Sequence, residues 1–367
     1  MNLLQKLGPN LSALRPYEPG RPIEEVAREL GLDPDSIVKL ASNESALGPS
    51  PKAMQALEEA IGECHLYPDG GAWELRQALS EEHGVAPEQL ILGNGSNEIL
   101  EFVGHCFMRG DTHVVFSAHA FVVYRLLARM FGCKSTQVPM GADLRHDLDA
   151  MATAIQDDTS VVFVCNPNNP TGTAVAADEL ERFCECVPED VLIVLDEAYA
   201  EIALTLMPPS MDWVERFPNL LVCRSFSKAY GLAGLRIGYG VACQELATAL
   251  GKVRQPFNTN RLAQQAAVAA LSDQAFVTSS RELYRSEKNF FEQQLTAMGV
   301  SFLPTAANFI LIQVDASLEP ARRLRENGII VRPMEVYDLP NHIRITFGTR
   351  TENLRCLNAL RDLLAES

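Results

Sequence analysis

The chain has 367 residues, of which 47% are hydrophobic and 21% charged, and a formal net charge of −16 at neutral pH. That length supports a large core and a second, smaller one. No apolar run approaches the roughly 20 residues of a membrane span, the first residues carry no pattern of a secretory signal, and the acidic balance disfavours nucleic acid and anionic membranes as partners.

Taken in chain order, residues 1 to about 40 read as an arm followed by a short helix. Residues 14–22 are proline-rich and extended, and Ile23 to Leu30 repeats apolar residues at helical spacing. Val38 to Ala41 is expected to be a short strand, followed by a loop over residues 42–51. Helices are expected near 52–61 and 72–83, with His65 to Gly71 as the loop between them. Gln89 to Leu92 reads as a buried strand that turns through Gly93-Asn94-Gly95 into a helix opening on Ser96-Asn97-Glu98. This imitates the start of a dinucleotide fingerprint, but Glu98 stands where the third glycine belongs. Unpaired amides at that helix start suit a phosphate, and Ser96 reads equally as a plain N-cap.

Strand-like runs follow at 114–116, 161–165, 191–195, 220–223 and 237–241, with helical patterns at 124–131, 148–155 and 178–186. Their apolarity is continuous rather than alternating, so both faces of these strands are covered. The fold class is therefore α/β, with a mostly parallel central sheet and helices on both faces. Asn169, Asp196 and Lys228 each fall at or just after the end of a run. They converge on the carboxyl rim, where such sheets bind ligands. From about 256 the pattern changes to helices at 261–271 and 274–298, then short runs at 309–312, 329–332 and 343–347 with helices near 317–327 and 351–365. This reads as a smaller α+β domain. The expected division is an arm and part of the small domain over 1–40, a large domain over 41–255 and a small C-terminal domain over 256–367.

Three stretches carry chemistry. Lys228 lies among small residues, with Ser225 and Ser227 before it and Arg236 eight positions after. An amine flanked by anion-binding groups suits pyridoxal phosphate: the lysine forms a Schiff base with the aldehyde, and serine hydroxyls and a guanidinium hold the phosphate. Ser225-x-x-Lys228 also matches the Ser-x-x-Lys of penicillin-recognising enzymes, but their Ser-Asp-Asn and Lys-Thr-Gly partners are absent from the sequence. Asp196, at the end of an apolar run, supplies the carboxylate that keeps a pyridine ring protonated, and Asn169 and Tyr199 supply donors for the ring hydroxyl. The nine cysteines form no Cys-x-x-Cys pair and several sit in apolar runs, as expected of buried thiols in a reducing cytoplasm. The seven histidines show no metal-ligand spacing.

Asn169-Pro170-Thr171-Gly172, Asp196-x-Ala198-Tyr199 and Ser225-x-Ser227-Lys228 with Gly231-Leu232-x-Gly234-x-Arg236-x-Gly238, in that order, resemble the fold type I aminotransferases. Over nearly its whole length the chain is similar to the histidinol-phosphate aminotransferases. The stretches concerned are Arg15-Pro16-Tyr17-x-Pro19-Gly20, Leu40-Ala41-Ser42-Asn43-Glu44, Tyr67-Pro68-Asp69-Gly70, Gly93 to Glu98, Pro167 to Gly172 and Ile343 to Thr349. The resemblance implies a pyridoxal-phosphate enzyme that is a homodimer. Amides of Ser96 and Asn97, with Ser225, Ser227 and Arg236, would bind the cofactor phosphate, Phe121 would stack on the ring, and Tyr67 would reach the partner subunit's cofactor. Lys228 would shuttle the proton, while Arg344, with Arg332 and Tyr17, would grip a substrate phosphate or carboxylate. The implied reaction interconverts histidinol phosphate and 2-oxoglutarate with imidazole-acetol phosphate and glutamate. Alternatives are an aromatic amino acid aminotransferase and, more distantly, a threonine-phosphate decarboxylase; a pyridoxal-binding regulator would need a fused DNA-binding segment. The chain departs from the family at Ser45-Ala46, where Asn-Pro is usual, and at Phe121, where a tyrosine is common.

Overall fold

Continuous apolarity in the middle of the chain produces a seven-stranded sheet covered on both faces. The computed structural model describes residues 3–12, 14, 20–203 and 206–365. Strands β1 (Val38–Lys39), β2 (Leu90–Gly93), β3 (His113–Ser117), β4 (Lys134–Val138), β5 (Thr159–Cys165), β6 (Leu192–Asp196), β7 (Leu220–Ser225) and β8 (Gly238–Ala242) come first in the chain. The seven from β2 to β8 form this sheet in the order β2-β8-β7-β6-β5-β3-β4. The pairs from β4 across to β7 are parallel, and β8 alone runs against its neighbours.

Alternation within each strand sends Val162, Val164, Ile193, Leu195 and Val222 to one face and Val161, Phe163, Val194, Leu221 and Cys223 to the other. Helices Trp73–His83, Ala177–Cys186 and Arg261–Leu271 cover the first face. Helices Ser96–Phe107, Val122–Phe131 and Gln244–Gly251 cover the second. The expected strands and helices are present within a few residues. Strand β4 has no counterpart among the expected runs. It lies at the sheet edge, and of its five residues only Val138 is buried, so it has no apolar run to betray it. Helices Ser210–Arg216 and Gln244–Gly251 likewise have no counterpart among the expected elements.

The C-terminal third holds β9 (Phe309–Gln313), β10 (Ile329–Ile330), β11 (Arg332–Pro333) and β12 (His342–Thr346). Strands β11, β12 and β9 form an antiparallel sheet packed on helices Gln274–Ala297 and Arg350–Ala365 through Phe291, Ile310, Ile312, Ile343, Ile345 and Leu357. The run 329–332, expected as one strand, divides. Its first half pairs in parallel with β1, and Arg332 turns away to pair with β12. Arg332 thereby stands directly opposite Arg344. Among the described residues no helix is long and apolar enough to cross a membrane.

Candidate active site

Parallel strands end on the same side: Cys165 of β5 stands opposite Asp196 of β6, Asp196 opposite Cys223 of β7, and Ser225 ends β7 two residues further along the same rim. A cavity of about 290 Å³ opens there. Its lining includes Ser96, Asn97, Phe121, Asn169, Asp196, Tyr199, Ser225, Ser227, Lys228, Arg236, Arg332 and Arg344. The residues expected from the sequence therefore meet in one place, with two exceptions. Tyr17 lies outside the described residues, and Tyr67 lies elsewhere on the surface.

One end of the cavity is an anion cradle. Gly95 caps the helix Ser96–Phe107 with φ 82°, so Ser96 is its first helical residue rather than its cap, and Ser96 and Asn97, whose amides have no intrahelical acceptor, line the cavity. Gly238 of β8 lets that backbone approach: a Cβ there would come 2.4 Å from the Ser96 nitrogen. Arg236, held in the left-handed region at φ 59°, donates from Nη1 to the Ala233 carbonyl at 3.0 Å and to Ser227 Oγ at 3.4 Å. The Ser227 amide donates to Ser225 Oγ at 3.1 Å.

At the centre, Asp196 is buried, and its Oδ2 accepts from the Tyr124 hydroxyl at 2.9 Å while Oδ1 is buried with no hydrogen-bond partner among the described residues. Burial pushes this carboxyl up to about 6, against the pull of the Tyr124 hydrogen bond and the Ala198 amide. Lys228 Nζ donates to the Asn43 carbonyl at 3.3 Å. Burial, helped by the charge of Arg344, lowers its pKa to about 8. The Tyr199 hydroxyl accepts from Asn43 Nδ2 at 2.9 Å, and burial raises its pKa. Asn169 Oδ1 accepts from Arg344 Nη1, and Arg344 Nη2 donates to the Ala41 carbonyl at 2.8 Å. An amine made partly neutral, an isolated carboxylate oxygen, an anion cradle and paired guanidiniums can together hold and activate a phosphorylated aldehyde and an anionic amine.

Residues 35–360 match the sequence model of the family aminotransferase class I and II. The chain belongs to this family. It is 47% identical to a histidinol-phosphate aminotransferase 2 of Pseudomonas fluorescens, with 99% of each chain covered. It is 45% identical to a histidinol-phosphate aminotransferase of Methylobacillus flagellatus, covering 97% of this chain and 96% of the relative. The crystal structure of histidinol-phosphate aminotransferase from Sinorhizobium meliloti in complex with pyridoxal-5′-phosphate superposes with a TM-score of 0.91 at 30% identity, covering 98% of both chains.

The cofactor of this aminotransferase is pyridoxal 5′-phosphate, and the residues present fit it. Lys228 can take the aldehyde. The unpartnered Oδ1 of Asp196 suits a protonated ring nitrogen, and the cradle of Ser96, Ser227 and Arg236 suits a phosphate. Asn43, to which the sequence pattern assigns no role, contacts both Lys228 and Tyr199 and sits at φ 55°. Its signal is an asparagine in a loop, a residue type that tolerates the left-handed region. Tyr124 and Tyr337 also carry no assignment from the sequence, because an aromatic at helical spacing or in a short loop reads as packing.

Tyr67 is 78% exposed. It stacks on Phe257 with ring centroids 4.7 Å apart, beside a separate surface cavity formed with Leu66, Pro68, Pro256 and Arg261.

Proposed function

We propose that this aminotransferase reversibly transfers the amino group between histidinol phosphate and 2-oxoglutarate on one side and glutamate and imidazole-acetol phosphate on the other, in histidine biosynthesis. The observation that carries this reading is the cross-strand pair Arg332 and Arg344, both on the cavity that holds Lys228. Like charges placed directly opposite on neighbouring strands destabilise each other, and a dianionic phosphate relieves that repulsion better than a monoanionic carboxylate. Guanidinium forks match phosphate geometry. The names of the relatives and the crystal structure described above agree with it.

Bound pyridoxal phosphate supplies an aldehyde for covalent capture of the amine and an electron-withdrawing ring that spreads the charge left at the substrate's reacting carbon. The chain supplies the rest. Lys228 Nζ, with its pKa near 8, is close enough to neutrality at physiological pH to take a proton from that carbon and return it. Asp196 holds a negative charge against the ring nitrogen, because its pKa near 6 leaves it ionised at pH 7. Asn43 orients the Tyr199 hydroxyl, Asn169 is held by Arg344, and Phe121 walls the ring. We assign the protein to the cytoplasm, in keeping with nine free thiols. We also propose a homodimer, supported by a surface where Ile61, Leu66, Tyr67, Trp73 and Phe257 are exposed.

The test is kcat/KM for histidinol phosphate, phenylalanine and tyrosine in the wild type, Arg332→Gln and Arg344→Gln. Loss of a charge-assisted hydrogen bond is expected to cost about 10- to 100-fold in kcat/KM. Arg332→Gln should impair histidinol phosphate more than either amino acid, and Arg344→Gln should impair all three. A wild type that prefers phenylalanine or tyrosine would overturn the substrate and leave the aromatic aminotransferase in its place.

A further inference from the structure

Tyr124 is fully buried on the helix Val122–Phe131, next to the cavity but outside its lining. Its ring stacks on Phe163 of β5, centroids 4.7 Å apart and planes within 12°, and meets Phe121 edge-on at 5.8 Å and 88°. Its hydroxyl donates to Asp196 Oδ2 at 2.9 Å. The other carboxylate oxygen, Oδ1, is buried and has no hydrogen-bond partner among the described residues. One side chain therefore touches both groups assigned to the cofactor ring, the carboxylate for its nitrogen and the phenyl for its face. We infer that Tyr124 is a positioning residue: it fixes Asp196 through Oδ2, which keeps Oδ1 available to the ring nitrogen, and it braces Phe121 against the ring.

The geometry has a reason. A carboxylate at the end of a strand can rotate about its terminal bond, and a donor on one oxygen stops that rotation. Phe163, part of the sheet itself, holds the donor rigid. The same hydrogen bond favours the ionised carboxylate, which burial alone disfavours. The ionisable groups around Asp196 are Tyr124, the buried thiols of Cys165 and Cys223, Glu197 and Lys228. Removing the hydroxyl takes away that favourable contribution, so the Asp196 carboxyl should be harder to ionise.

This inference rests on the reading of Asp196 as the partner of the ring nitrogen, and the experiment separates the two. The apoprotein of wild type, Tyr124→Phe, Asp196→Asn and the double variant is titrated with pyridoxal phosphate by equilibrium dialysis, and kcat is followed against pH for the holoenzymes. Y124F should bind the cofactor about tenfold more weakly or worse, and the acidic limb of its kcat profile should move to higher pH. The double variant should bind no more weakly than D196N, because the hydroxyl acts only through the carboxylate. Wild-type affinity and an unmoved acidic limb in Y124F, beside a D196N that is impaired, would overturn the role of Tyr124 alone. Unimpaired D196N would overturn both. Should Y124F not fold, Phe163→Leu, which removes the ring stacked on Tyr124 and leaves its hydroxyl in place, is measured in the same way: weaker cofactor binding with an acidic limb moved to higher pH supports the role, and wild-type values for both refute it.

Discussion

A partly buried lysine just beyond the end of a strand is an amine whose positive charge the protein opposes. Desolvation and then the Arg344 guanidinium bring Lys228 down from 10.5 to about 8. The neutral amine is the form that attacks an aldehyde, so the rate at which apoprotein captures pyridoxal phosphate should rise with pH and be half-maximal near 8. Arg344→Gln removes one cause of the depression, and the midpoint should move to higher pH. A wild-type midpoint near that of free lysine would show that Lys228 is not held as described. The stability of the apoprotein follows the same linkage with a definite sign. The native state resists the ammonium, so this cost is full below about pH 8 and is relieved between 8 and 10.5, where the native state has released a proton the unfolded chain still binds. Apoprotein stability should therefore carry a component that increases across that window, measurable by urea unfolding.

Elements are legible in the sequence where burial wrote them. Strands β5, β6 and β7 are buried on both faces, so they appear as unbroken apolar runs, and the site residues follow at their ends. Strand β4 is illegible because an edge strand with four partly or fully exposed residues needs no apolar pattern. The division of 329–332 between two sheets is illegible for another reason: apolarity records burial and not which strand is the partner. That division sets Arg332 opposite Arg344, so the anion-binding pair is visible in the sequence as two arginines and not as a pair. Tyr124 is hidden as one aromatic on a helix with a buried face. Gly238 shows how elements meet at the cradle. With the Ser96 nitrogen 2.4 Å from the position of its Cβ, and the Arg224 carbonyl 2.9 Å away, β8 and the helix start cannot both stay in place around a methyl group. Gly238→Ala should destabilise the fold by about 1–3 kcal/mol and weaken cofactor binding. Gly234 lies in the short 3-10 turn Ala233–Leu235 ahead of β8, with no atom of the described residues beyond its chain neighbours within 4 Å of the position of its Cβ, so Gly234→Ala should do neither. Equal thermal shifts for the two variants would refute this account of the cradle.

At the scale of the whole molecule, the site joins two separately packed cores. The sheet rim contributes Asn169, Asp196 and Lys228, and the antiparallel C-terminal sheet contributes Arg332 and Arg344; Asn43 links them through Tyr199 and Thr346. Tyr67 stands apart from this assembly. It is 78% exposed, and the neighbouring Leu66, Trp73 and Ile61 are at least half exposed as well. An apolar surface of that kind suits the association proposed above. In a two-fold dimer built on this patch, the loop around Tyr67 of each subunit would lie against the partner. If Tyr67 serves the partner's site, Tyr67→Ala and Lys228→Ala should each be inactive alone for different reasons. Their hybrid has one site carrying both defects and one carrying neither. Random exchange of equal amounts makes half the dimers hybrids, so about a quarter of all sites should be intact and activity should return to roughly that level. Subunit exchange is checked independently, by mixing differently tagged copies and recovering both tags together. Exchange without any return of activity, from two inactive parents, would show that Tyr67 acts within its own subunit or only in packing.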